Sequence, residues 1–347
     1  MKTLCLLALP LLALATPLTA QEEVPPRATP GSVVAEADDA EWVAIAPQNL
    51  LVMDLAPDAI GTPRRVVIQL MQAPLSQPWV ENIRTLARAQ YWDGSSVNRV
   101  QDNYVVQWGQ PDEDVGGTEK PVPDGLNVVP EECYEIQFDG GAVCEPGSDA
   151  PDYLRGTPHA VISARATRSD DHPLGWHGRD PYAEWVQFHD GWPIASRQIG
   201  EQPDGAPVWS SWPTHCYGMV GVGRDVSPDT GDGSQLYTVI GHAPRHLDRN
   251  IALVGRIIEG MEHLTTLPRG TGPLGFYERV GELVPILSAR IAADMQDAPA
   301  YEYLSTESES FERYIAVRAN RLDSFYNIPA GGVDICNVPV PIRSAGE

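Results

Sequence analysis

The sequence predicts a mainly β protein. Proline (32 residues) and glycine (31) are both abundant in a chain of 347, which favours turns and long connections over a helical bundle. Short runs mixing β-branched and aromatic residues, such as NLLVMDL, RRVVIQL, SVNRV and YVVQW, recur between turn residues. Helical spacing is confined to a few stretches. A hydrophobic content of 42% and a charged content of 20% fit a folded domain. The length allows one large core or two ordinary ones.

Residues 1–20 (MKTLCLLALPLLALATPLTA) pair a short positive start at Lys2 with an apolar run from Leu4 to Ala15 and a small residue, Ala20, at the end. This pattern is that of a cleavable signal peptide and is short for a spanning helix. The expected mature protein is exported, periplasmic in a bacterium or else secreted, with no membrane insertion after cleavage. Net charge is −23. A surface this acidic repels phosphate backbones and anionic lipid, so nucleic acid is excluded as a partner.

Export turns the four remaining cysteines, Cys133, Cys144, Cys216 and Cys336, toward disulfides rather than metal. Cys133 and Cys144 flank an apparent hairpin, YEIQFDGGAV, and are expected to pair. Cys216–Cys336 follows by elimination and would tie the C-terminal region to the core. No C-x-x-C spacing is present, so no metal or other cofactor is expected.

Along the chain, 21–41 reads as a flexible lead-in, polar and rich in proline and acids. Residues 49–70 read as a β-hairpin turning at Thr62-Pro63. Ser76 to Ala89 reads as a helix with Ser76 as its N-cap and a buried face of Val80, Ile83, Leu86 and Ala87. Strands follow at Ser96–Val100 and Tyr104–Trp108. Residues 111–213 are loop-rich and hold five of the nine tryptophans (Trp176, Trp185, Trp192, Trp209, Trp212). They are expected to form an insertion subdomain, with the indoles serving local packing. Strands resume at Tyr217–Gly223, Gln235–Gly241 and Ile251–Ile258, then a short helix over MEHLTTL. Residues 268–347 read as a helical extension: LVPILSARIAADM shows helical periodicity, and FERYIAVRANRLDSFY is a second helix with Ser310 as its cap.

Two segments carry a specific signal. The first is YWDGSSVNRVQDNYVVQWGQP (91–111). The second runs from Tyr217 to Met261 with GMVGVGRD, GSQLYTVIG and HLDRNIALVGRIIEGM. In this order they resemble the two halves of a cyclophilin, the β-barrel peptidyl-prolyl cis-trans isomerases. The resemblance implies a closed eight-stranded antiparallel barrel over 42–267, interrupted by the 111–213 insertion. On the family's first active strand, its Phe-His-Arg triplet falls on Val97, Asn98 and Arg99. Tyr104, Val105 and Gln107 match the next strand. Gly223, Arg224, Gln235, Tyr237, His246 and Leu247 match the second half. Trp108 and Gln110 replace the usual glycine and aspartate, and Ile251 stands where the family has histidine or tyrosine.

The resemblance implies an enzyme acting on proline-containing polypeptides. Isomerisation needs no nucleophile, metal or base. An X-Pro bond turns over in tens to hundreds of seconds unaided because amide resonance must be broken. A catalyst must favour the twisted state, whose nitrogen has become basic, and a cation donating a hydrogen bond does so selectively. Arg99 is the expected donor, its planar fork fixed by Gln107. Tyr104, Val105, Tyr237 and Leu247 would form the proline pocket. Gln235 and the Gly223 backbone would line the next subsite, Arg224 would border it, and His246 could face the substrate carbonyl. The alternative is a proline-peptide-binding or chaperone-like module on the same scaffold with little turnover. A hydrolase lacks support, since neither G-x-S-x-G nor H-E-x-x-H occurs.

Overall fold

A computed structural model describes residues 27–117, 120–137, 180–201, 203, 205 and 207–345. Its centre is a closed antiparallel barrel. The first hairpin is β2 (Leu50–Leu55) with β3 (Arg64–Leu70), the expected 49–70 pair. Helix α2 (Gln77–Arg88) follows, burying Trp79, Val80, Ile83, Leu86 and Ala87. Ser76 is its N-cap residue, but in the left-handed conformation and without a side-chain cap bond. Then come β4 (Ser96–Val100), β5 (Val105–Gly109), β10 (Met219–Val222), β11 (Leu236–Val239) and β12 (Leu253–Glu259). The short helix α3 spans Met261–Thr265.

The eighth strand is β13, Val284–Ile291, which pairs with both β2 and β4 and closes the barrel in the order β10-β11-β5-β4-β13-β2-β3-β12. This corrects the helix expected over LVPILSARIAADM and moves the end of the barrel from 267 to 291. The cause of the misreading is local. A register shift between Ile286 and Ser288 breaks the alternation, so the buried residues fall at 284, 286, 289 and 291. That mixed spacing of two and three mimics a helical face.

The chain on either side of the barrel forms a second layer. Residues 27–41, expected as part of a flexible lead-in, are ordered here: α1 (Pro30–Ala35) starts with a capping box between Thr29 and Ser32 and buries Val33 completely. β1 (Trp42–Ala44) pairs with β14 (Tyr301–Leu304), which pairs with β15 (Ile342–Ser344). Helix α4 (Glu309–Ala319) packs Phe311, Tyr314 and Ile315 into the same core as Val33 and Trp212. The C-terminal region is therefore mixed rather than helical. The cap of α4 is Ser308, whose hydroxyl accepts from the Phe311 amide at 3.1 Å. Ser310 instead lies inside the first turn and donates to Glu41 at 2.6 Å.

The described residues of the insertion hold a sheet where a loop-rich segment was expected. β6 (Ile136–Gln137), β7 (Trp185–His189), β8 (Trp192–Glu201) and β9 (Pro207–Pro213) form a four-stranded sheet in the order β6-β9-β8-β7. Trp192 and Trp212 are buried and Trp185 stacks edge-on against Trp209, so these indoles do pack locally. Trp176 lies outside the described residues. His189 sits buried in β7. Arg256 of β12 fastens the insertion to the barrel: its guanidinium lies 4.6 Å from the Trp192 ring centroid and donates to the Gly191 carbonyl at 2.7 Å and to Gln69 at 2.8 Å. The Cys216–Cys336 disulfide is present and ties the C-terminal layer to the barrel. Cys133 is buried, while Cys144, its expected partner, lies outside the described residues.

Candidate active site

Strand pairing alone places the central residues. Arg99 on β4 is opposite Gln107 on β5, Gln107 is opposite Tyr237 on β11, and Tyr237 is opposite Gly221 on β10. Cross-strand partners share a face, so these four form one row across the outside of the barrel. Val105, two residues before Gln107, is on the same face. Val105, Tyr237 and Val239 form an apolar cluster separate from the barrel interior, with Tyr104 and Ile251 packed against it. It brings Tyr104, Val105 and Tyr237, three of the four residues expected around a prolyl ring, together as one apolar slot. Ile251, rather than the half-buried Leu247, completes it.

Arg99 stands beside this slot, its guanidinium 5.7 Å from the Tyr104 ring centroid and 5.1 Å from that of Phe276. Nη1 donates to Gln107 Oε1 at 3.1 Å, Nη2 to Gln101 Oε1, and Nε to the Leu274 carbonyl at 2.8 Å. A guanidinium has five N–H groups, so one on each terminal nitrogen remains for a substrate. Burial lowers the Arg99 pKa from its ordinary value. Partial desolvation of a cation strengthens any hydrogen bond it donates into the slot. The Leu274–Phe276 support comes from the segment leading into β13. That segment carries no sequence signal of its own and falls in the region expected as a helical extension.

The remaining expected residues divide. Gln235 turns its amide to the Gln110 carbonyl at 2.7 Å and fills the space above Gly109, where a Cβ would lie 2.4 Å from it. Its side chain thus holds β11 to the end of β5. The Gly223 amide donates to the Gln235 carbonyl at 2.8 Å. Arg224 bonds the carbonyls of Asn250 at 2.8 Å and Asp225 at 2.6 Å. His246 is exposed on the single turn Arg245–Leu247. Among the described residues no group of three or more His, Cys, Asp or Glu side chains is placed to hold a metal ion.

A buried polar chain under the slot was missed entirely. The Tyr237 hydroxyl meets His215 Nε2 at 2.9 Å, and His215 Nδ1 meets Asp248 Oδ1 at 2.9 Å. Arg245 Nε donates to Asp248 Oδ2 at 2.6 Å, and its terminal nitrogens grip Asp180 at 2.7 and 3.1 Å. Burial lowers the His215 pKa against the pull of Asp248 and raises that of Tyr237 well above its ordinary value. Burial alone would raise Asp248, yet the His215 hydrogen bond and the Arg245 charge carry it below the usual carboxylate range. One signal was available in the sequence. Tyr237 lies on a strand expected to line the barrel, and a tyrosine there brings a hydroxyl that must find a partner once buried.

A closed antiparallel barrel of eight strands carries a supported guanidinium beside this apolar cluster. The sequence profile described as "Cyclophilin type peptidyl-prolyl cis-trans isomerase/CLD" matches residues 60–291, and the chain belongs to that family of isomerases. Among solved structures it is similar to the cyclophilin AquaCyp293 from Hirschia baltica, with a TM-score of 0.58, 20% identity, and coverage of 92% of this chain and 100% of that one. That likeness speaks for the fold. No curated protein matches the sequence.

Proposed function

We propose that the protein accelerates X-Pro isomerisation in exported polypeptides, with Arg99 donating to the pyramidal nitrogen of the twisted prolyl amide. The observation that carries this reading is the Arg99–Gln107 pair at 3.1 Å beside the Tyr104, Val105 and Tyr237 slot. The planar amide nitrogen accepts almost no hydrogen bond, so the interaction is gained on the way to the transition state. The leader-like residues 1–20 support action outside the cytoplasm, and a structural disulfide suits an oxidising compartment. The clients are proline-containing chains.

A protease-coupled isomerisation assay on wild type and Arg99→Ala tests the mechanism. Loss of one aimed donor is expected to lower kcat/KM by about 10²–10³. Equal rates in the two proteins remove the reading. The alternative, a proline-peptide-binding or chaperone-like module with little turnover, draws on one feature: Arg99 already spends three N–H groups on Gln107, Gln101 and Leu274. Peptide binding without turnover in wild type would favour it.

A further inference from the structure

The chain from Tyr237 to Asp180 is not required by isomerisation, and its geometry gives it a direction. Asp248 Oδ1 accepts hydrogen bonds from the Nδ1–H and the backbone N–H of His215, each at 2.9 Å. The neutral imidazole then has its lone pair on Nε2, so the Tyr237 hydroxyl must donate to it. The phenol's single proton therefore points away from the slot. The hydroxyl also lies close against the bare backbone of Gly221, where a Cβ would come within 2.3 Å of it. The ring forming the slot floor is fixed at its far end by one histidine and one glycine.

The histidine is fixed in turn. Arg245 and Asp248 sit on the turn that carries His246 and Leu247, and the far end of the chain is Asp180, a residue of the insertion. The side chains of His215, Asp248, Arg245 and Asp180 are each no more than 4% exposed. Charges this deeply buried hold their positions only when every member is paired. A shift of Asp180 is thus transmitted to Arg245, Asp248 and His215.

We propose that His215, Asp248 and Arg245 are positioning residues, and that through them the insertion residue Asp180 supports Tyr237 in the floor of the proline slot. This deepens the isomerase reading and rests on its assignment of the slot. The insertion then sets substrate affinity, while Arg99 sets the chemical step.

The test is a double-mutant cycle with Tyr237→Phe and Asp180→Asn. Binding of a blocked Ala-Pro tetrapeptide is followed by NMR titration, and isomerisation is measured on the same samples. Each single variant is expected to weaken binding by about threefold to tenfold, and in Asp180→Asn the rate at saturation should change less than about twofold. The double variant should bind no more weakly than the worse single one. Effects that multiply, or wild-type affinity in Asp180→Asn, overturn the proposal. A purely structural role would lower the melting temperature and leave affinity alone, which also overturns it. If Tyr237→Phe does not fold, Asp180→Asn and Asp180→Ala decide by affinity alone. A wild type that binds the peptide with this coupling but does not isomerise it retires the isomerase reading and upholds the coupling. An active wild type with independent variants does the reverse.

Discussion

Gly221→Ala is the perturbation whose cost is most directly readable. The added Cβ would lie 2.3 Å from the Tyr237 hydroxyl oxygen, 2.4 Å from Cζ and 2.7 Å from Cε1. Carbon atoms in contact sit about 3.5–4.0 Å apart, so the ring must retreat by roughly 1 Å. It cannot do so freely, because its hydroxyl is held by His215 at 2.9 Å. Overpacking costs about 1–3 kcal/mol, and a buried acceptor left without its donor costs about 1–3 kcal/mol more. Together these correspond to a fall of about 3–8 °C in Tm, measurable by calorimetry or circular dichroism. The substrate KM should rise with it. Adding Tyr237→Phe does not rescue the variant, since the ring carbons remain in the way. A Gly221→Ala protein melting within about 1 °C of wild type would refute the packing argument.

Other outcomes follow from single contacts. Arg99→Lys keeps the charge but loses the fork that spans Gln107 and Gln101, so kcat should fall by at least about tenfold with KM little changed. Cys336→Ser removes a bridge between residues 120 apart and should lower the unfolding free energy in urea by about 2–4 kcal/mol; an unchanged midpoint would contradict it. Asp93 is held below the usual carboxylate range by the Arg290 hydrogen bond. Its contribution is present above the unfolded pKa of about 3.9 and is lost as pH falls through the lower folded value. The stability gap between wild type and Asp93→Asn should therefore close in acid. His215, facing Asp248, Arg245, His246 and Tyr237, stays neutral through burial. The unfolded chain binds the proton first, near pH 6.5, so stability should fall as pH drops below that value. Replacing His215 should flatten this segment of the pH curve.

Much of the barrel was legible because its strands are short, β-branched and aromatic, and bounded by turns. Arg99, Gln107, Tyr104, Val105 and Tyr237 were legible as a set because the family resemblance fixed their order, and strand register did the rest. What escaped reading depended on distant partners. β13 hid behind a register shift. Ser308 and Ser310 exchanged roles because Glu41, far away in sequence, claims Ser310. α1 is too short to persist alone and exists by packing on α4. His215 has its partners at positions 237 and 248, and no spacing rule joins them. The insertion sheet escaped because its strands pair around residues that read as turns.

The interlocking of the two ends has a consequence for biosynthesis. Trp42 faces Leu304 and Tyr301 faces Ser344, so the outer layer requires the earliest and the latest folded residues at once. On the ribosome the barrel cannot close before Ile291 emerges, and the Trp42–Ala44 segment waits longer still for its neighbours. Contacts of such long range close slowly, which leaves a nascent chain with an unsatisfied strand edge at Trp42–Ala44 and an unburied Val33 until its last strands are made.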